Sequence, residues 1–327
     1  MYEDFKEHCI AAYGGYLKDN NELLSCTSGG IATAISVKFI EDGGYVAGVK
    51  YTQDFKNAEY LLTNKKEELE LFKGSKYIDA QVGDTFAKVK ELLDANEKVL
   101  FIGLPCKVGA LNFYLKKEYE NLLTCELVCH GPTLSQVHTE YIEYLEKKFN
   151  SKIVDFSVRR KKDSWLPTYL YAKFENGKEF IKEYYKTEYG IAFSKISLER
   201  CYNCKFKGNN RTGDIQIGDF WGYDKSREYY NNNGTSCILV HTEKGNNYLK
   251  SNELLALYPV TFEEIVKANQ LIIRTKPKGP KVDKFKSNLE SKGLFYAVKK
   301  SMGLKGKLKK LCPNFVKNII KEILRRG

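Results

Sequence analysis

Two short apolar runs, each ending in a cysteine beside glycine or proline, restrict this chain more than any other feature. "KVLFIGLPC" spans 98–106 and "NLLTCELVCHG" spans 121–131. Neither shows the apolar–polar alternation of a half-exposed strand, so each reads as a strand buried on both faces. Between them "KVGALNFYLKKEYE" (107–120) is helix-like. Strand, helix and strand make a right-handed crossover between parallel strands. The carboxyl ends of such strands lie on one edge of the sheet, where open α/β sheets bind ligands. Cys106 and Cys129 stand just past those two ends, so they are expected to share an edge.

The rest of the chain extends this pattern. "CTSGGIATAISVKFIED" (26–42) opens with small polar residues and continues as a helix, and "GGYVAGVKY" (43–51) reads as a strand. "GDTFAKVKELLDAN" (83–96) puts Phe86, Val89, Leu92 and Leu93 on one helical face, and "TLSQVHTEYIEYLEKKF" (133–149) is an amphipathic helix. Beyond 150 the pattern turns strand-rich: "IVDFSVRRK", "TYLYAKFEN", "EFIKEYY", "DIQIGDFWG" (214–222) and "TSCILVHTEKG" (235–245). From about 250 the chain returns to helix. The expected fold is mixed α/β: a central, mostly parallel sheet with flanking helices, a strand-rich region and a helical basic C-terminal tail. The expected divisions are 1–150, 151–250 and 251–327.

The net charge of +12 is concentrated at one end. Residues 281–327 hold 14 Lys or Arg against the three acids Asp283, Glu290 and Glu322. The other 280 residues carry 39 basic and 38 acidic groups, so a nucleic-acid-binding body is not indicated. "MYEDFKEHCI" is acidic and lacks an apolar core, unlike a secretory signal, and no run is long enough to span a membrane. Nine cysteines in that setting point to a reducing, cytoplasmic compartment, where clustered thiols bind metal or do redox chemistry.

"RCYNCKFKG" (200–208) supplies a Cys-x-x-Cys pair, Cys201 and Cys204. Alone, such a pair suits half a zinc site, half an iron–sulfur site or a redox dithiol. Alone, a cysteine at a strand end is more often a small buried apolar residue. Taken together, Cys106, Cys129, Cys201 and Cys204 can make one four-thiol site. Cys125 falls inside a strand, while Cys9, Cys26, Cys237 and Cys312 lack the same glycine or proline context and read as structural. The four histidines assemble no catalytic set; His130, next to Cys129, is the one placed to hydrogen-bond near the thiols.

Ser28-Gly29-Gly30 at a helix start suits an anion cradle, because glycine lets the backbone approach a pyrophosphate; a plain turn is the commoner use. "FKGSKY" sets Lys73 and Lys76 around a glycine, suited to a phosphate or simply to a solvated loop. No G-x-G-x-x-G follows the first strand, so an ordinary dinucleotide site is not indicated. Asp219 is placed to hold a loop through backbone N–H bonds, and Trp221 to cover a cofactor or fill the core. Arg159, Arg160 and Trp165 in "VRRKKDSWLP" read as a solvated basic turn, with an anionic substrate as the alternative.

"CTSGGIATAIS", "FKGSKYIDAQVGDTFAKVKELL", "KVLFIGLPCKVGALNFYL", "VCHGPTLSQVHTEYIEYLE" and "RCYNCKFKGNNRTGDIQIGDFWG" run in the order seen in a known family. In these stretches the sequence resembles the beta subunits of coenzyme F420 hydrogenases and dehydrogenases, from about residue 10 to residue 245. The resemblance implies FAD and a [4Fe–4S] cluster. It implies cluster ligation by Cys106, Cys129, Cys201 and Cys204. It places Thr27, Ser28, Gly29, Gly30 and Lys76 near FAD, with Lys73 and Tyr77 beside them. It also implies a redox protein such as a ferredoxin and a small-molecule hydride donor or acceptor as partners. Departures are Leu104 and Lys107 on either side of Pro105-Cys106, where threonine and glutamine are usual, and Cys26-Thr27 in place of a serine pair. Set against the resemblance, the expectation is of a member that begins at the catalytic body, without the ferredoxin module that precedes many relatives. These departures bear on substrate and electron partner rather than on the ligands.

"CPNFVKNIIKEILRRG" (312–327) repeats apolar residues with helical spacing beside Lys317, Lys321, Arg325 and Arg326. Over 313–327 it suits either the inner face of a membrane or the protein's own body or partner. The expected function is an iron–sulfur flavoprotein oxidoreductase. Its rival is a non-enzymatic, zinc-stabilised partner protein at a membrane surface.

Overall fold

The computed structural model describes residues 8–208 and 210–302. In chain order its principal elements begin with β1 (Ala11–Leu17), α1 (Ile31–Glu41), β2 (Tyr45–Tyr51), β3 (Ala58–Thr63) and α2 (Thr85–Asp94). Next come β4 (Val99–Gly103), α3 (Pro105–Leu115), β5 (Leu122–Leu127) and α4 (Ser135–Phe149). After these come β6 (Ile153–Arg160), β7 (Tyr169–Phe174), β8 (Glu179–Glu183) and α5 (Glu188–Lys195). The last are β9 (Ile215–Asp219), β10 (Ser236–Val240), β11 (Leu255–Pro259) and α6 (Val282–Ser301). Shorter helical turns join them, including Glu199–Tyr202 and Phe262–Ala268.

Eight strands form one sheet in the order β11-β1-β10-β9-β5-β4-β2-β3. Its centre is parallel: β2 pairs with β4, β4 with β5 and β5 with β9. Antiparallel strands flank it, β3 on one side and β10, β1 and β11 on the other. The apolar runs explain the centre. Every residue of β4 is buried, as a strand covered on both faces requires. Ile31, Ile35, Phe39, Leu100, Leu123 and Ile238 share one core, and Val89, Leu93, Phe101, Val108 and Leu111 another. The expected crossover from β4 through α3 to β5 is present, with Val99 opposite Leu122 and Gly103 opposite Glu126.

Three strands that the sequence pattern did not disclose complete the sheet. β1 is "AAYGGYL", whose glycines lower its strand propensity but permit close packing. A side chain at Gly15 would stand 2.7 Å from the Ala256 carbonyl on β11. β11 itself falls in a stretch read as helical; it is a short strand whose pairing partner is distant in sequence. β3 is the third, paired antiparallel to β2.

A second, three-stranded antiparallel sheet, β6-β7-β8, has its own core with α4, α5 and α6. Tyr141, Leu145, Leu170, Phe174, Tyr189 and Leu289 meet there. Helix α6 breaks at Gly293 (φ 79°), where the Glu140 carboxylate accepts the Leu294 N–H at 2.6 Å. No helix among the described residues is long and apolar enough to cross a membrane. The amphipathic stretch 313–327 lies outside the described residues.

Candidate functional site

The crossover sets the position of the first two thiols. Leu104 has an extended backbone at the end of β4, and Pro105 opens α3 where a missing N–H costs nothing. Cys106 follows on the first turn. Cys129 lies two residues beyond β5, in a turn where Gly131 takes φ 91°. The Gly131 N–H donates to Cys129 Sγ at 3.2 Å. Cys201 rides on the single turn Glu199–Tyr202, anchored by its own N–H to the Leu198 carbonyl at 2.9 Å. The two loops touch at Gly131, where an added Cβ would lie 3.0 Å from Cys201 Cβ and 3.3 Å from its Sγ.

All four candidate thiols, Cys106, Cys129, Cys201 and Cys204, line one small cavity of about 30 Å³, with His130, Arg200 and Lys207 among its walls. Lys207 Nζ donates to the Cys129 carbonyl at 2.6 Å and to the Leu271 carbonyl, tying the Cys-x-x-Cys loop to both neighbours. Beneath it Arg211 and Glu126 form a fully buried pair at 3.3 Å. Burial, then the nearby Cys129, pushes Cys106 and Cys201 up to about 11, and burial raises Cys129 as well. These thiols hold their protons until a metal displaces them. Among the described residues no three His, Cys, Asp or Glu groups are gathered closely enough to grip a metal ion. The four thiols surround a cavity rather than converge on a point. A single tetrahedral zinc would need its sulfurs within about 4 Å of one another. A donor set of four thiols, with an N–H donated to one sulfur, suits an iron–sulfur core.

A second, larger cavity of about 300 Å³ adjoins the first. Leu104, Cys129, His130, Gly131 and Pro132 line both. Thr27, Ser28, Gly30, Lys73, Lys76 and Tyr77 all line the larger one. Gly29 does not: its N–H donates to Ser236 Oγ at 2.9 Å, and a Cβ there would sit 2.4 Å from the Gly15 carbonyl. Gly29 therefore lets the loop lie against β1 and β10. The Ser28 hydroxyl is likewise committed, to the Gly218 and Thr235 carbonyls at 3.3 and 3.2 Å. The open donors lie one residue further on. Gly30 provides no side-chain cap to α1, and Ile31, Ala32 and Thr33 of its first turn line the cavity. A first turn without a cap presents N–H groups and the positive end of the helix dipole.

The lysines differ in role. Lys73 is held by Glu22 and Glu70, each at 2.6 Å. Lys76 donates to the carbonyls of Leu71, Lys73 and Gly74, and burial pushes it down to about 7. Lys161, unremarked in the sequence, donates to the Ser28 carbonyl at 2.6 Å and that of Leu23 at 2.8 Å. Tyr77 stacks on Phe193 at 4.2 Å, and burial pushes its hydroxyl up to about 12.

The basic segment at the end of β6 is not the solvated turn expected. Arg159 is half-buried and clamps Asp219 through two bonds, at 2.7 and 3.1 Å, and both line the larger cavity. Asp219 thus binds a guanidinium rather than a backbone loop. Its negative charge helps hold Arg159 protonated well above the usual range, against the cost of burial. Arg160 turns away, with its guanidinium 3.6 Å from the centre of the Tyr171 ring. Simple strand alternation could not have found this, because the register of β6 shifts between Ser157 and Arg160 and the strand ends before Lys161. Trp165 stacks on Trp221 at 5.5 Å, and Trp221 borders the cavity.

A family profile for the C-terminal part of the coenzyme F420 hydrogenase/dehydrogenase beta chain matches residues 96–261. Among solved structures, the chain is similar to one in the F420-reducing [NiFe] hydrogenase complex from Methanosarcina barkeri, with TM-score 0.55 and 17% identity. That match covers 88% of this chain and 93% of the other. No curated protein matches the sequence.

Proposed function

The chain belongs to the coenzyme F420 hydrogenase/dehydrogenase beta-subunit family, and on that premise we propose that it is an iron–sulfur flavoprotein oxidoreductase. FAD would occupy the larger cavity, and a [4Fe–4S] cluster the cavity ringed by Cys106, Cys129, Cys201 and Cys204. The observation that carries this is the shared wall of five residues, which puts the two cavities side by side. When bound, the flavin supplies hydride exchange with a two-electron partner, and the cluster supplies single-electron transfer.

The chain's own residues supply position, charge and exclusion of water. The first turn of α1 offers free N–H groups to a pyrophosphate. Lys161 fixes the loop that leads into that turn. Arg159 and Asp219 neutralise each other at the wall, so they present a rigid edge rather than a free charge. Tyr77 and Trp221 offer flat apolar surface. Around the thiols, the Gly131 N–H favours the ionised sulfur of Cys129. The two-electron partner is coenzyme F420, as the family description suggests, or another organic hydride carrier. The single-electron partner is a redox protein such as a ferredoxin, and a reducing cytoplasm suits the exposed chemistry of the site.

Anaerobic purification tests the proposal. The protein should show flavin bands near about 375 and 450 nm and a broad iron–sulfur shoulder. Cys204→Ser should keep the flavin bands while losing most of its iron and sulfide. Unchanged iron and sulfide in that variant would refute the ligand set, and a colourless parent with stoichiometric zinc would refute the function.

A further inference from the structure

The four-cysteine cavity opens onto a strongly cationic surface. The two segments around its mouth, 194–208 and 271–278, hold seven Lys or Arg against one acid, Glu199. The body as a whole is balanced, so this excess is local. The structure joins the two segments: Lys276 Nζ lies 3.4 Å from the Ser194 carbonyl, and Lys276 and Arg200 line the cavity with Cys201. Some charge is compensated, since Arg200 pairs with Asp79 and Lys278 with Glu199 and Asp283. Lys195, Lys205 and Arg274 stand exposed.

An apolar anchor lies beside this surface. Phe113 is 83% exposed. It sits seven residues after Cys106 on α3, so helical spacing puts the two on one face. Between them Phe206, from the Cys-x-x-Cys loop, closes over Gly109, where an added Cβ would lie 2.4 Å from its ring. Cationic rim and exposed aromatic together have the make-up of a protein interface built for fast, charge-steered encounter.

Resting on the function proposed above, we infer that this face docks an acidic one-electron carrier protein at the mouth of the cysteine cavity. The four cysteines would hold the acceptor: the carrier would be oxidised by one electron and the cluster bound there reduced by one, with no bond formed or broken. Complementary charge at the point of transfer is the recognition.

The test is stopped-flow reduction of the intact, cofactor-loaded protein by two carriers of like potential and different charge: a reduced, acidic plant-type ferredoxin and the same ferredoxin with its surface carboxylates converted to amides. A viologen bearing one sulfonate, neutral in its reduced form, serves as the uncharged control. Native ferredoxin should react faster than its amidated form, and its rate should fall at least about tenfold from low to high salt. The triple variant Lys195→Glu/Lys205→Glu/Arg274→Glu should lose a similar factor with ferredoxin and none with the viologen. Phe113→Ala should weaken saturation by ferredoxin while leaving the salt dependence intact. A ferredoxin rate indifferent to salt and to charge reversal, or equal reaction with the amidated carrier, would overturn the inference. Should the triple variant fold poorly, single reversals at Lys205 and Arg274 carry the same prediction. A parent protein without iron or flavin would instead refute the function beneath it.

Discussion

The ammonium of Lys161 is buried against the carbonyls of Leu23 and Ser28, and that burial pulls its pKa down to about 8. The unfolded chain binds the same proton near about 10.4. Below about pH 8 both states are protonated and the burial penalty is fully present. Between about 8 and 10.4 the unfolded state holds the extra proton, so rising pH removes the penalty and this residue's contribution to stability improves. Lys161→Met should abolish that component. The stability of the parent relative to the variant should therefore rise by about 1.5 kcal/mol between pH 8 and 9.5, measured by urea unfolding of the cofactor-free proteins. A constant difference across that range would show that the amine is not desolvated. Lys161 was illegible because its role depends on a loop more than 130 residues away. Cys106 and Cys129 were legible because strand ends in a crossover share an edge whatever the side chains around them. Their meeting with Cys201 depends on the bare backbone of Gly131, which no spacing rule reveals.

Among elements, the loop from Thr27 into α1 carries the cavity, and its glycines have unlike tasks. Gly30 takes a left-handed conformation (φ 70°) that delivers the chain into the helix. Gly29 provides closeness instead, since a methyl group would meet backbone of β1 at 2.4 Å and of β10 at 2.6 Å. Backbone cannot yield as a flexible side chain does. Gly29→Ala should cost about 2–3 kcal/mol, read as a lower denaturant midpoint, and should reduce flavin retained per chain. Full flavin retention at unchanged stability would show that the loop can move away. The sequence pointed to this loop as a cradle built on Ser28, Gly29 and Gly30. In the folded chain Ser28 and Gly29 are spent on internal contacts, and the open donors belong to the residues after them. Serine hydroxyls and amides that look free in a sequence are often committed to the protein's own backbone and neighbours, here to β9 and β10.

At the scale of the whole molecule, a mixed sheet presents the carboxyl ends of β4, β5 and β9 to a second, smaller sheet, and the cavities lie where these parts meet. The parallel centre was readable from continuous apolar runs. The antiparallel flanks were not, because β1 and β11 are short, glycine-bearing or weakly patterned, and are specified by partners far along the chain. Each cavity draws on distant segments: the four thiols come from three separate stretches of chain, and the larger wall runs from Cys26 to Asn269. Function at this scale depends on the two cavities being filled side by side and exchanging electrons. Anaerobic reductive titration of the purified protein, followed by visible and paramagnetic resonance spectra, tests that most directly. Uptake of about three electron equivalents per chain is expected, two at flavin and one at a cluster that turns paramagnetic. Uptake of only two, with no iron signal, or of none, would contradict the account.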